Sequence, residues 1–282
     1  MFDLPTTALL LPNGLKTRLY DSGGPGIPFV LLHGLGLSLE IWGKVIPALS
    51  AQHRVIAFDF PGYGEADRPD AAYDGAFFAD QVEALMDALA LPEAYLVGSS
   101  LGASTIVRFS AKHLPRIRRA ILMAPGGFGR DTHPVLRAPC VPLIGYALAK
   151  PTWLSNAYAL RLSMADPKVA TRALIDLAAD FTGRPGGHRA FARTVTTGLS
   201  LSGVKNTDAF AGTAKVMHCP TLVLWGKQDR VFPVAQAQVA GRVLPDARVI
   251  EIDRCGHYPQ WEQPERMAAE VLAFVGEDRD VA

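Results

Sequence analysis

The chain has 282 residues, 49% hydrophobic and 20% charged, with 28 Lys+Arg against 27 Asp+Glu and a net charge of +1. A globular chain of this length buries its own core and needs no disulfide or metal to fold. The near-neutral balance excludes a nucleic-acid binder working by bulk electrostatics, and equally an acidic disordered tail.

In chain order, residues 7–11 and 17–20 flank Pro12-Asn13-Gly14, a turn signal, and predict an antiparallel hairpin. Short apolar runs at 28–32, 55–60, 95–97, 120–124, 221–225 and 249–252 read as buried strands. Phe77, Val82, Leu85, Met86 and Leu89 recur at helical spacing, and so do Met267, Val271, Leu272 and Val275. Strands buried on both faces and joined by helices predict an α/β fold with a mostly parallel sheet and helices on both faces.

The alternation breaks between about residues 127 and 215, where no strand is expected. Helices are predicted at 153–164 and 188–197. A third is opened by Asp166 and Pro167, faced by Ala170, Leu174, Leu177 and Phe181, and closed by Gly183. The expected organisation is a core of residues 1–127 and 216–282 with a helical cap, 128–215, inserted into it. Such a cap would cover the carboxyl edge of the sheet, where ligands bind in open α/β sheets.

Gly98-Ser99-Ser100-Leu101-Gly102 fits G-x-S-x-G, directly after a predicted strand and before a helical pattern. Small residues two before and two after let a strained turn close and lift the Ser100 hydroxyl above the sheet edge. Centring on Ser99 fails, because Val97 and Leu101 would take the glycine positions. A serine needs a base. Of the seven histidines, His257 follows the last predicted strand, behind Gly256. The histidine needs an acid to fix its tautomer. Asp229 follows the penultimate strand, whereas Asp253, the rival, sits at a strand end beside Arg254. The order Ser100, Asp229, His257 is nucleophile, acid, histidine. His33-Gly34-Leu35-Gly36 follows the first buried strand and offers the Leu35 N–H, with that of Leu101, to a developing oxyanion. His33 is read as an anchor of that loop, and Asp59-Phe60-Pro61-Gly62-Tyr63-Gly64 as a packed turn supporting the site.

Cys140, Cys219 and Cys255 are odd in number and lack C-x-x-C spacing, which predicts reduced thiols and a cytoplasmic protein. The longest early apolar run, 8–11, is too short for a signal peptide or a membrane span. Arginine over lysine, with abundant alanine, points to a GC-rich bacterial genome.

With these motifs in this order the sequence resembles the α/β-hydrolase superfamily over nearly its whole length. The resemblance implies a helical cap, the triad and oxyanion roles above, and no metal or organic cofactor. Ser100 stands where haloalkane dehalogenases and epoxide hydrolases carry aspartate. Leu122-Met123-Ala124-Pro125-Gly126-Gly127 and Cys255-Gly256-His257-Tyr258-Pro259-Gln260-Trp261-Glu262 look like meta-cleavage-product hydrolases, which cut carbon–carbon bonds. Tyr258 and Ser99 depart from the tryptophan and asparagine usual there. Arg172, Arg184, Arg189 and Arg193 are the candidates for that family's cap arginine.

The expected activity is a serine esterase acting on a small apolar ester and water, with Trp153, Tyr158, Phe181 and Tyr258 around the substrate. No nucleic-acid partner is expected, and assembly of identical chains stays open. Carbon–carbon hydrolysis, cofactor-free haloperoxidase or perhydrolase chemistry, and a non-catalytic small-molecule receptor on the same fold are the alternatives.

Overall fold

The computed structural model describes residues 4–277. The hairpin comes first: β1 (Thr6–Leu10) pairs antiparallel with β2 (Lys16–Asp21) around Asn13-Gly14. Then β3 (Phe29–Leu32), β4 (Val55–Phe58), β5 (Ala94–Ser99) and β6 (Ile117–Met123) run parallel, with β9 (Thr221–Gly226) and β10 (Ala247–Ile252) completing the sheet. The sheet has eight strands among the described residues, in the order β1-β2-β4-β3-β5-β6-β9-β10.

Successive side chains of a strand point to opposite faces. Val30 and Leu32 of β3 accordingly enter one apolar cluster, and Phe29 and Leu31 enter the other. The first cluster is closed by α2 (Gly75–Ala88), α3 (Leu101–His113) and α9 (Ala235–Val243). On the other face lie α1 (Ile46–Ser50), α10 (Pro259–Glu262) and α11 (Pro264–Gly276). Both faces are covered, which is why the strands read as apolar runs rather than alternating ones.

Between β6 and β9 the chain is largely helical: α4 (Gly145–Leu148), α5 (Trp153–Ser163), α6 (Arg172–Gly183), α7 (Gly187–Gly198) and α8 (Thr207–Lys215). Two expectations need correction here. Two short strands, β7 (Leu199–Ser200) and β8 (Gly203–Val204), form a small hairpin where none was expected. Asp166 and Pro167 open only a 3₁₀ turn ending at Val169. The following helix starts afresh at Arg172, with the Thr171 hydroxyl accepting from the Leu174 N–H. Further along, α8 packs on α3 and α9.

Among the described residues, no helix is long and apolar enough to cross a membrane, and no cluster of His, Cys, Asp and Glu has the arrangement of a metal site. Cys140 is half-buried, Cys219 and Cys255 are buried, and all three are free thiols.

Candidate active site

Ser100 sits between β5 and α3 with φ 54° and ψ −109°. A non-glycine residue held there costs about 1–3 kcal/mol of backbone strain. The surrounding glycines make that turn physically possible. A Cβ on Gly98 would lie 2.4 Å from the Ala103 nitrogen, and one on Gly102 would lie 2.1 Å from the Leu32 carbonyl oxygen. The Ser100 N–H donates to the Met123 carbonyl at 2.8 Å, which pins the turn to the neighbouring strand. Ser100 borders a cavity of about 440 Å³. Ser99 is fully buried, its hydroxyl has no hydrogen-bond partner among the described residues, and it does not line that cavity.

His257 borders the same cavity from the loop after β10. Its Nδ1 lies 2.8 Å from Asp229 Oδ2. The carboxylate can only accept, so Nδ1 carries the proton and Nε2 is left as the basic nitrogen. Asp229 is itself fixed: its Oδ1 accepts from the N–H groups of Val231 at 2.7 Å and Phe232 at 3.0 Å. The Asp253 carboxylate is 75% exposed and pairs with Lys227 at 2.9 Å, which holds its pKa below the usual carboxylate range. It therefore plays no part in orienting His257.

The loop carrying His257 is tied to the end of α5. The His257 N–H donates to the Ser163 carbonyl at 2.7 Å. Half-buried Glu262 accepts from Gly256, Tyr258 and Ala165. Burial raises the Glu262 pKa, opposed by those three N–H groups. No local pattern marks Glu262 for this bridging role, because its partner Ala165 lies 97 positions away.

Leu35 and Leu101 also border the cavity. The Leu101 N–H is among the orphan donors at the start of α3. The direction of the Leu35 N–H follows from His33. His33 Nε2 accepts from the Phe60 N–H at 3.0 Å, so Nδ1 must carry the proton it gives to the Gly34 carbonyl at 2.8 Å. In a trans peptide, N–H and C=O point in opposite directions. Holding the Gly34 oxygen toward His33 therefore turns the Leu35 N–H the other way. Burial lowers the His33 pKa to about 4, so the ring stays neutral. Below it, Asp59 accepts from the N–H groups of Leu39 and Glu65, both at 2.9 Å, and pairs with Arg18 at 2.8 Å.

The residues expected around the substrate are not brought together. Tyr258 borders the cavity, but Trp153, Tyr158 and Phe181 do not. Trp153 and Tyr158 are exposed, 38% and 53%, and the Trp153 indole donates to Asp176. Phe181 is buried beneath the guanidinium groups of Arg18 and Arg184, at 5.5 and 4.6 Å. The inner face of α5 instead presents Ala159, Leu160 and Ser163, while Phe191 and Phe232 line other walls. The four candidate arginines, Arg172, Arg184, Arg189 and Arg193, also lie outside the cavity. Arg172 pairs with Asp176, Arg184 with Asp180, Arg193 with Asp70, and Arg189 donates to the Arg68 carbonyl.

The alpha/beta hydrolase family model matches residues 29–270. The chain belongs to that family. It is 28% identical over 274 residues to the 2-hydroxymuconate semialdehyde hydrolase of Pseudomonas sp. strain CF600, across 95% of this chain and 93% of the relative. Similarity also extends to the dihydrolipoyllysine-residue acetyltransferase component of the acetoin cleaving system of Pseudomonas putida, 30% identical over 268 residues, across 93% of this chain and 67% of the relative. Among solved structures, a meta-cleavage product hydrolase from Pseudomonas fluorescens IP01 is 26% identical with a TM-score of 0.82, covering 96% of this chain and 98% of that one. Relatives with such different names share the fold, so the reaction has to be argued from the site.

Proposed function

We propose that the protein is a serine hydrolase that cleaves a carboxylic ester through an acyl-enzyme. In this reading Ser100 Oγ attacks the ester carbonyl while His257 Nε2 takes the hydroxyl proton. Asp229 holds the ring and balances the imidazolium charge. The N–H groups of Leu35 and Leu101 receive the oxyanion of the tetrahedral intermediate. As that intermediate collapses, the alcohol leaves with the proton from His257. Water, deprotonated by the same nitrogen, then attacks the acyl carbon and releases the acid and Ser100. The cap of residues 128–215 would roof this chemistry.

The observation carrying the ester reading is the inner lining of the cavity. Its lining includes Leu35, Leu37, Leu160, Phe191, Phe232 and Tyr258 and no cap arginine, and the two cations that border it, Arg108 and Lys205, are exposed. A vinylogous diketone acid brings a carboxylate into the site, and a buried carboxylate without a cation is costly. A neutral ester asks only for an apolar slot and two oxyanion donors.

Carbon–carbon hydrolysis is the second reading, and the names of the similar hydrolases favour it. The deciding measurement is kcat/KM for aryl esters and for ring-fission diketones on one preparation. We expect the esters to be turned over faster. Faster diketone cleavage would replace the ester reading with the second one.

A further inference from the structure

The apolar interior of the cavity does not extend to its mouth. Ser100, Ser104 and Arg108 follow one another along α3 at spacings of four, and all three line the cavity. Residues four apart share one helix face. Eight residues at 1.5 Å each place Arg108 roughly 12 Å along the helix axis from Ser100. Ser100 is buried, whereas Arg108, Lys205 and Asn206 are exposed. The cavity thus opens from the candidate nucleophile toward a rim holding two cations. Among the described residues, Arg108 is the one arginine that borders it and Lys205 the one lysine.

Arg108 is held in place without being used. Its stem crosses Gly75 so closely that a Cβ there would lie 2.0 Å from Arg108 Cδ. Its guanidinium lies over the Phe210 ring at 5.6 Å. Among the described residues, no carboxylate forms an ion pair with it. Asp74, which also borders the cavity, acts on it only at longer range and spends Oδ1 on capping α2 through the Phe77 N–H. Lys205 Nζ gives one hydrogen bond, to the Thr196 carbonyl at 2.7 Å, and keeps two donors. Arg172, Arg184, Arg189 and Arg193, by contrast, all have acceptors. A guanidinium fixed between a glycine backbone and an aromatic ring, with its donor edge unspent, is already ordered for an anion and loses little entropy on binding one.

We propose that Arg108, assisted by Lys205, forms an anion-binding subsite at the mouth of the catalytic cavity. It would select esters bearing a carboxylate roughly 12 Å from the reacting carbonyl, such as monoesters of medium-chain dicarboxylic acids. The acyl chain fills the apolar interior and the distant carboxylate remains at the rim. This proposal rests on the ester reading above.

The test compares 4-nitrophenyl monoesters of dicarboxylic acids with their neutral, methyl-capped counterparts over a range of chain lengths. A parallel series carries the carboxylate on the alcohol side. The quantity read is the ratio of kcat/KM for the charged ester to that for the neutral one. In the native protein the ratio should peak at one chain length, by about five- to tenfold, mostly through KM. It should shrink as salt is added. Arg108→Gln should bring it to about one, and Arg108→Lys should restore part of it. A flat ratio, or one that peaks but is indifferent to Arg108→Gln, would overturn the subsite while leaving the ester reading intact. If no ester of either kind is hydrolysed, the ester reading itself fails. Circular dichroism and thermal melting of each variant separate loss of the subsite from loss of fold.

Discussion

The Glu262 carboxylate accepts from the backbone N–H of Ala165 at 2.7 Å and joins two parts of the chain that are 97 positions apart. Its other hydrogen bonds go to Gly256 and Tyr258, the two neighbours of His257. One carboxylate therefore sets where the histidine loop stands relative to the end of α5. Glu262→Gln keeps the size but turns an amide NH2 toward N–H donors. A buried donor left unpaired costs about 1–3 kcal/mol. We expect a lower Tm and a kcat reduced by roughly tenfold through misplacement of the ring. A variant with unchanged Tm and kcat would remove Glu262 from this role.

Replacing Ser100 by alanine should lower turnover by at least about 10³-fold while the far-ultraviolet spectrum stays native. An organophosphate should add once to the native protein, and peptide mapping should place it on Ser100. A label on Ser99, which is fully buried, would contradict the assignment.

The two candidate acids separate cleanly. Asp229→Asn leaves a carboxamide opposite His257 Nδ1 and favours the wrong tautomer, so activity should fall by about 10²–10⁴-fold. Asp253→Asn breaks only an exposed pair with Lys227 and should leave kcat/KM within about twofold. The reverse ranking, measured on one ester, would exchange their roles.

His33 makes stability depend on pH in a definite sense. Its pKa falls from 6.5 to about 4 on burial. Between those values the unfolded chain binds more protons than the folded one, so stability rises with pH. The contribution is complete above about pH 6.5 and is lost as pH falls toward 4, by about 3 kcal/mol at most. Urea titrations from pH 7 to 4.5 should show the native protein losing more stability than His33→Asn. Parallel losses in the two proteins would show that this ring is not the group responsible.

Gly102→Ala tests the close approach of α3 to β3. The new Cβ would meet a backbone carbonyl, which cannot rotate away as a side chain can. We expect a loss of about 1–3 kcal/mol or more in denaturant unfolding, larger than for an alanine at Gly212, where the space is open.

The parallel strands were legible because strands covered on both faces leave an apolar run in sequence, and β3 to β6 and β9 each leave one. The turn around Ser100 was legible because steric closure demands Gly98 and Gly102. The cavity lining was not. Helical spacing puts Trp153 and Leu160, seven positions apart, on one face of α5, but it does not say that Leu160 reaches the cavity while Trp153 stays exposed. That is decided by packing against α6 and by the histidine loop, which is far away in sequence. Asp166-Pro167 misled for a related reason: a good local start signal was used for a single turn, and Thr171 capped the helix instead. Arg108 went unnoticed because an arginine on a helix is ordinarily a solvated face, and only the cavity beside it gives its position meaning.

The stretch matched by the family model begins at residue 29, yet the bracing of the Leu35 loop begins earlier. Arg18 on β2 pairs with both Asp59 and Glu40, and the Thr17 hydroxyl donates to the Asp59 carbonyl. Asp59 in turn holds Leu39 at the far end of that loop. Anyone cloning a minimal version trimmed to the matched segment would cut away this strut. Such a fragment could keep Ser100, Asp229 and His257 and still react sluggishly, because the ribbon presenting the Leu35 amide would have lost its anchorage.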